Sequence, residues 1–344
     1  MPVDDFIRGL CGELRLRFGR EEAWPVDTLY FGGGTPSRLG GDGVARAIAA
    51  MRERISLAPD AEVTIEANPE DISIEAVSAW RAAGVNRLSI GSQSFDDRVL
   101  EWMHRSHDAS AIARSVAVAH DGGIDNVSLD LIFALPDSIP RDWKSDVNRA
   151  LDLEPAHVSL YGLTIESHTP LGRQSARGEL PAPTDGRYEA EFLFAHEAMT
   201  AAGYDHYEVS NFGKPGRWSR HNGSYWTGAA YAGLGPSAHE FDGEVRRWNH
   251  APYAEWLRSV DDGMDPISDN ERLTAENRDA ESIYLGLRTI SGLKVNDAEL
   301  GRIQAWVEAG WGHLDQRGVL SLTPLGWLRL DALATDLTVV RSRY

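Results

Sequence analysis

The stretch Tyr30-Phe31-Gly32-Gly33-Gly34-Thr35-Pro36 closes a short apolar run with three consecutive glycines. Glycine reaches backbone conformations that are closed to residues with a Cβ, so the N–H and C=O groups of such a turn can approach the polar atoms of a small ligand. A glycine turn after a strand more often only ends the strand than binds a ligand. The sequence around it therefore decides whether this turn binds a ligand.

Short strand-like runs alternate with helix-length stretches along the chain. Apolar spacing predicts a first helix over residues 6–18, with Cys11 on its buried side as a free thiol, and a second helix over Ile74–Ala83 that ends at Gly84. Strands are predicted at residues 28–31, 62–67, 87–90, 126–133, 157–163 and 205–209. This alternation indicates parallel βα units and an α/β fold.

Polar residues accompany the carboxyl ends of these strands, where parallel α/β folds carry their ligands. Glu66 closes the second strand, Gln93 follows the third, Asp130 lies within the fourth, and Glu166 comes after the fifth. Side chains of these types offer acceptors and donors for a ribose, an amine and a carboxylate. Beside a glycine turn, they predict a nucleoside-like ligand.

A later stretch is unusually rich in aromatic residues. Such a stretch could line a flat hydrophobic ligand and offer a histidine to a metal, or it could form a packed lid over a hydrogen-bonded histidine. On residue chemistry alone the packed lid is favoured. The residues concerned are Trp218, His221, Asn222, Tyr225, Trp226 and Tyr231.

The composition excludes several classes of function. The chain has 344 residues, a formal net charge of −18 and one cysteine. Its acidity would repel a nucleic-acid backbone, and no apolar run reaches membrane-spanning length, so we expect a cytoplasmic protein with no nucleic-acid partner and no membrane insertion. One cysteine cannot form an internal disulfide or a thiolate metal site, so no metal ligands are assigned.

The C-terminal part looks like a separate small module. A linker at residues 261–266 precedes a predicted helix at 276–287 and a strand at 318–322, and Thr323-Pro324 has the composition of a helix start. This order indicates a winged-helix-like unit. Because its charge disfavours DNA binding, we interpret it as a structural cover.

Taken in order, the motifs resemble those of radical S-adenosylmethionine proteins related to oxygen-independent coproporphyrinogen III oxidase, and most closely the HemW-type haem chaperones. The resemblance spans nearly the whole chain. Its motifs are residues 30–36, Glu66-Ala67-Asn68-Pro69, residues 87–91 with Gln93-Ser94-Phe95, Arg105 with His107, Asp130-Leu131-Ile132 before Leu135-Pro136, Tyr207-Glu208-Val209-Ser210-Asn211-Phe212, and residues 233–239.

The resemblance implies a (β/α)6 barrel that binds S-adenosylmethionine at its mouth. It places Gly33, Gly34 and Thr35 at the methionyl amino end of that molecule. It also implies domains at 1–180 (radical S-adenosylmethionine core), 181–265 (HemW-type extension) and 266–344 (winged-helix-like domain). The carboxylate and ribose would be held by four further residues, Glu66, Gln93, Arg105 and Asp130.

The run His221-Asn222-Gly223-Ser224-Tyr225-Trp226 matches the H-N-x-x-Y-W motif that separates the haem chaperones from the oxidases. With this resemblance, the interpretation of His221 changes from a satisfied histidine to a candidate axial ligand of haem iron. Asn222, Tyr225 and Trp226 become candidate haem-binding residues with it. No catalytic residue is assigned.

The main departure from the family is at the N-terminus. The family carries C-x-x-x-C-x-x-C after its first barrel strand, where three thiolates hold a [4Fe-4S] cluster, and this chain has no such motif. Loss of one contiguous block, with every later site residue retained, predicts a start codon assigned too late and a barrel that lacks its first strand. Smaller departures are Ser92, Ala134 and Glu240, where valine, glycine and serine are usual.

Three hypotheses follow for function. The leading one is a haem chaperone that binds S-adenosylmethionine and haem and transfers haem to acceptor proteins, with a homodimer allowed. The second is an oxygen-independent coproporphyrinogen III oxidase, although radical chemistry is not predicted for a chain without cluster ligands. The third is a cluster-free truncated product, which we expect to be of low stability because of an unpaired strand edge.

Overall fold

The computed structural model describes residues 2–18, 24–166 and 169–341. Its main body is a partial barrel built on an open seven-stranded sheet. The strands are β1 (Trp24–Phe31), β2 (Ile55–Ala67), β3 (Arg87–Gln93), β4 (Val127–Phe133), β5 (His157–Gly162), β6 (Asp205–Glu208) and β7 (Asn211–Gly213). The helices of this body are α1 (Val3–Arg17), α2 (Gly40–Arg52), α3 (Ile74–Ala83), α4 (Asp97–Trp102), α5 (Ala109–Asp121), α6 (Trp143–Asp152), α7 (Pro170–Ala176) and α8 (Asp185–Ala201).

The order of the strands confirms the predicted parallel βα units and adds an antiparallel end. Strands β1 to β5 are parallel neighbours in chain order. The sixth strand of the chain does not lie beside the fifth, because β7 turns back between them and pairs antiparallel with both β5 and β6. The sheet therefore ends in a hairpin whose last strand again runs in the direction of β5.

Every predicted strand is present, but several bounds differ. β1 begins at Trp24 and β2 at Ile55, well before the predicted residues 28 and 62. The early part of β2 contains Pro59 and Asp60, which disfavour a strand locally. Residues 55–57 before them pair with residues 24–26 of β1, and Pro59 and Asp60 fall where the register between the two strands shifts.

The core lies between the sheet and the helices that follow its strands. Ile65, Leu88, Ile90 and Val158 are fully buried on the strands, and Trp80 of α3 is fully buried against them. Each such side chain contributes roughly 1.5–3 kcal/mol when it is removed from water. In the described ranges, no helix is both long and apolar enough to cross a membrane.

Helix α3 shows how the local sequence sets the bounds of an element. Its first turn is capped by Ser73, whose side chain accepts a hydrogen bond from the N–H of Ala76 at 3.2 Å. It ends, as predicted, at Gly84, which has a φ of 110°. A side chain would strain that left-handed conformation.

A smaller sheet packs beside the barrel. It follows the short helix α9 (Arg220–Trp226) and consists of β8 (His239–Phe241), β9 (Val245–Asn249) and β10 (Ile267–Arg272), with α10 (Tyr253–Asp261) between the last two. The buried carboxylate of Glu13 ties α1 to this region, since it accepts hydrogen bonds from Asn249 and Trp256. Strand β10 pairs with β9 across the domain boundary that was predicted between residues 265 and 266. The boundary itself stays a prediction.

The remaining residues form a winged-helix-like unit, as predicted. Thr323 caps its penultimate helix and accepts a hydrogen bond from the N–H of Gly326 at 3.2 Å. Its antiparallel sheet has the order β11-β13-β12. The elements are α11 (Ala275–Arg288), β11 (Leu293–Lys294), α12 (Leu300–Glu308), β12 (Gly312–Leu314), β13 (Val319–Leu322), α13 (Pro324–Trp327) and α14 (Leu330–Arg341).

Candidate functional site

The glycine turn after β1 and the acidic residue of β2 form one unit. Gly33 and Gly34 have φ values of 77° and 70°, and a Cβ built on either would meet no atom within 4 Å, so the turn faces open space. The N–H of Gly33 donates to Glu66 Oε2 at 3.2 Å, and the hydroxyl of Tyr30 donates to Glu66 Oε1 at 2.7 Å. Thr35 follows directly. The turn thus keeps further N–H groups available beside a carboxylate.

Asp130 lies on β4 in the interior of the partial barrel. The hydroxyl of Ser89 donates to its carboxylate, 3.1 Å from both oxygens. Burial raises the pKa of Asp130 to about 7, hydrogen bonding from Ser159 opposes this rise, and the charge of Glu66 adds to it. Because the charge of Glu66 acts on Asp130, the two carboxyl groups belong to one polar interior.

Gln93 ends β3 in an unusual backbone conformation. Its φ is 64°, and the register between β3 and β4 shifts between Ile90 and Gln93. A non-glycine residue in this region costs on the order of 1–3 kcal/mol and commonly marks a functional position. Gln93 is buried, with only 8% of its surface exposed, yet its side-chain amide has no hydrogen-bond partner among the described residues. The amide is therefore available to a ligand.

Arg105 follows α4 and is half-buried. Burial lowers the pKa of its guanidinium, and the charge of Glu70 opposes that effect. Within the described part of the chain, the guanidinium makes no hydrogen bond. A partly desolvated cation with free donors is suited to binding a carboxylate.

These residues fit S-adenosylmethionine but not an iron–sulfur cluster. The open glycine turn, the two carboxylates and the unpaired Arg105 match an amino acid end and a ribose. A cluster needs several thiolates, whereas the sequence has one cysteine, Cys11, which is half-buried on α1. No group of three metal-ligating side chains occurs in the described residues.

His221 begins α9 against the outer strand of the barrel. Its Nδ1 lies 2.8 Å from Thr28 Oγ1 and its Nε2 lies 2.9 Å from Tyr225 Oη. The ring stacks on Tyr30 at 4.7 Å, and the backbone N–H donates to Glu62 at 2.9 Å. Burial lowers the pKa of His221 to about 4, with the charge of Glu62 opposing. The imidazole is thus neutral at pH 7, with both nitrogens engaged.

The other motif residues continue along the same helix. The N–H of Asn222 donates to the capping hydroxyl of Ser219 at 3.2 Å. The Nε1 of Trp226 is buried and has no hydrogen-bond partner in the described part of the chain. The Arg288 guanidinium lies 4.2 Å from the Trp226 ring centroid and pairs with the buried Glu208 of β6 at 2.8 Å. Trp226 is therefore held to the barrel by a cation–π contact.

Tyr225 and Trp226 also line a cavity of about 480 Å³ between α9, the smaller sheet and α11. Tyr225, Trp226 and Tyr231 belong to the aromatic stretch that the sequence indicates, whereas much of the remaining lining comes from β8, β9 and α11, further along the chain, and was not predicted. We call this the aromatic cavity. Its lining residues are Tyr225, Trp226, Gly228, Ala229, Tyr231, His239, Phe241, Arg246, Glu281 and Leu285.

Comparison with known proteins identifies the class of this fold and site. Residues 13–150 match the family model of the Radical SAM superfamily. The structure resembles that of "Coproporphyrinogen III oxidase (HemN) from Escherichia coli", with a TM-score of 0.79 and 21% sequence identity over 97% of this chain and 82% of the other. The fold is that of a radical S-adenosylmethionine superfamily protein, and the glycine turn lies within the matched residues.

Curated relatives narrow this class to one family. The chain is 38% identical to "Heme chaperone HemW" of Mycobacterium tuberculosis strain H37Rv over 97% of this chain and 86% of the relative. It is 35% identical to the protein of the same name from Lactococcus lactis over 87% of this chain and 77% of the relative. The chain belongs to the HemW family of haem chaperones.

Proposed function

We propose that this chain binds haem and hands it to acceptor proteins. The observation that carries the proposal is the likeness to curated haem chaperones along 97% of the chain, together with the H-N-x-x-Y-W residues beside the aromatic cavity. A cavity of this size lies in the usual range for small-molecule sites. Haem is the transported molecule here, so a moderate affinity suits the task better than permanent capture.

We further propose that S-adenosylmethionine binds at the carboxyl edge of β1 to β4. Arg105 would pair with its carboxylate, while Glu66 and the open turn of Gly33 and Gly34 would face its amino acid end. Asp130 and Gln93 would hydrogen-bond the ribose, and Thr35 would close the turn. When bound, the ligand supplies a sulfonium cation, which the carboxylates of this interior would stabilise.

The oxidase alternative has weaker support. The solved oxidase shares only 21% of its sequence with this chain, so that likeness shows a common fold and no more. The relatives at 32–38% identity over most of the chain are named haem chaperones. Haem-accepting proteins are the partners that the proposal requires. A homodimer remains an expectation.

The proposal is tested by titrating ferric haem into the purified chain and following the Soret absorbance. We expect a saturable complex with the unaltered chain, weaker binding by His221→Ala, and unchanged binding by His313→Ala. His313 is an exposed histidine on β12 and serves as the matched control. An absence of saturable binding would overturn the proposal, and decarboxylation of coproporphyrinogen III would favour the oxidase instead.

A further inference from the structure

We infer that haem lies in the aromatic cavity with the imidazole of His239 as its axial ligand, and that His221 positions the cavity wall without binding the iron. This inference rests on the proposed haem-chaperone function and specifies where and how the haem is held. His239 lies outside the H-N-x-x-Y-W motif, whereas Tyr225 and Trp226 of that motif line the cavity.

His239 has the features that an iron ligand requires. It begins β8, lines the cavity and is exposed. Its ring is stacked on Trp248, with 5.9 Å between the ring centroids and an interplanar angle of 29°. In the described ranges its ring nitrogens have no hydrogen-bond partner. An imidazole whose nitrogens are not engaged, on a wall that carries four aromatic rings, is suited to axial ligation.

By contrast, both ring nitrogens of His221 already have hydrogen-bond partners. Nδ1 interacts with Thr28 of β1, and Nε2 interacts with the hydroxyl of Tyr225. Ligation of iron through either nitrogen would break one of these hydrogen bonds, and the ring is also held in a stack on Tyr30. The contacts instead suit a positioning residue that fixes Tyr225 at the cavity.

The cavity wall favours a flat aromatic molecule. The rings of Tyr225 and Tyr231 meet edge to face at 4.7 Å, and Phe241 and Trp226 extend the same lining. Such rings bind a planar conjugated system through stacking and edge contacts. The buried Nε1 of Trp226 adds one donor for which the described residues provide no partner.

One cation at the cavity is suited to the carboxylates at the edge of a haem. Arg246 lines the cavity and is paired with Glu281 through two contacts, of 2.6 and 2.8 Å. A haem carboxylate would compete with Glu281 for this guanidinium. Because Glu281 competes for Arg246, haem binds less tightly than it would to an unpaired guanidinium. A lower haem affinity suits a protein that must release haem.

The ligand assignment is tested by absorption and electron paramagnetic resonance spectra of the ferric haem complexes of the unaltered chain, His239→Ala, His221→Ala and His313→Ala. We expect His239→Ala to lose the signature of imidazole ligation and to bind haem about tenfold or more weakly. Added imidazole should restore the signature. His221→Ala should keep the signature despite weaker binding, and His313→Ala should match the unaltered chain.

Each other outcome overturns a distinct claim. Loss of the imidazole signature in His221→Ala with retention in His239→Ala would refute the inference while leaving the haem-chaperone function standing. Retention in both variants would refute the inference as well. If the unaltered chain bound no haem, the proposed function would fail together with the inference. Circular dichroism melts of each variant show whether a loss of binding is a loss of folding.

A second pair of variants tests the role of the cation. Glu281→Gln removes the competing carboxylate and keeps the size of the side chain, so haem affinity should rise about two- to fivefold, the range expected for a partly exposed pair. Arg246→Gln should lower the affinity. An unchanged affinity in both variants would exclude Arg246 from haem binding.

Discussion

The Nε2 of His221 lies 2.9 Å from the hydroxyl oxygen of Tyr225, four residues further along α9. Residues at this spacing face each other on a helix. The same histidine interacts through Nδ1 with Thr28 of β1, and the ring of Tyr225 lines the aromatic cavity. The motif therefore connects the outer barrel strand to the proposed haem site through one continuous set of contacts.

The hydroxyl and the ring of Tyr225 should have separable effects. Tyr225→Phe removes the partner of His221 Nε2 but keeps the ring, so we expect a loss of about 1 kcal/mol in the free energy of unfolding and a small change in haem affinity. Tyr225→Ala should weaken haem binding strongly. Chemical denaturation and haem titration measure the two effects. Equal haem affinities of the Phe and Ala variants would contradict a role of the ring.

Arg105 should matter for ligand binding and not for folding. Its half-buried guanidinium lacks a hydrogen-bond partner in the described residues, so Arg105→Gln should leave the free energy of unfolding unchanged or slightly raised. The same variant should bind S-adenosylmethionine about tenfold or more weakly, because a charge-assisted contact is lost. Isothermal titration calorimetry gives the affinity, and Arg114→Gln on the exposed face of α5 is the matched control. An unchanged affinity in Arg105→Gln would remove this residue from the site.

Asp130 should make the unliganded chain less stable as the pH rises. Its pKa is raised from 3.8 in an unfolded chain to about 7 by burial, so the folded state holds the extra proton below pH 7 and loses it above. The stabilisation from that proton is complete below about pH 4, is lost progressively as the pH rises from 4 to 7, and does not change further above pH 7. Asp130→Asn, which stays neutral, should gain stability relative to the unaltered chain by on the order of 1–3 kcal/mol as the pH rises from 4.5 to 7.5.

Denaturant melts at several pH values measure this difference. Glu75→Gln, at an exposed site in the first turn of α3, is a control for the loss of one carboxylate. A constant difference between Asp130→Asn and the unaltered chain across this pH range would show that Asp130 is ionised throughout.

Buried histidines should destabilise the chain in acid. Burial lowers the pKa of His206 from 6.5 to about 3, and the charge of His196 adds to this effect. The unfolded chain binds a proton at His206 below pH 6.5 while the folded chain does not, so stability falls as the pH drops from 6.5 towards 3. His206 stacks on Phe212 at 3.8 Å. The replacement His206→Phe should lower the number of protons that the chain takes up on unfolding by about one.

This effect is measured as the slope of the unfolding free energy between pH 6 and 4.5. Replacement of the exposed His120 of α5 by Phe should leave the slope unchanged. An identical slope for His206→Phe and the unaltered chain would mean that His206 is accessible to protons in the folded state.

Much of the barrel could be predicted because local signals and tertiary packing agree there. The run before Gly32 is apolar, Glu66 closes the next apolar run, and parallel strands bring their ends to one edge. The structure accordingly places Gly33 N 3.2 Å from Glu66 Oε2. The early part of β2 escaped prediction because its strand conformation depends on pairing with β1 and not on its own residues.

The aromatic cavity could not be predicted as a unit. Tyr225 and Trp226 belong to a recognisable motif, but Arg246 and Glu281 meet them only through the packing of β9 and α11. No periodicity or spacing in the sequence relates these segments to one another. Likewise, the hydrogen bonds that occupy both nitrogens of His221 depend on Thr28, which lies almost 200 residues away in sequence.

Transfer of haem to an acceptor is the most direct test of the central claim. The purified chain is loaded with one equivalent of ferric haem and mixed with an apo-haem protein whose holo spectrum is distinct, with free haem at the same concentration as the reference. We predict that the acceptor spectrum develops while the haem spectrum of the chain is lost in equal amount, with a rate that His239→Ala changes. Haem that never binds the chain, or that stays on it in the presence of acceptors, would contradict the account.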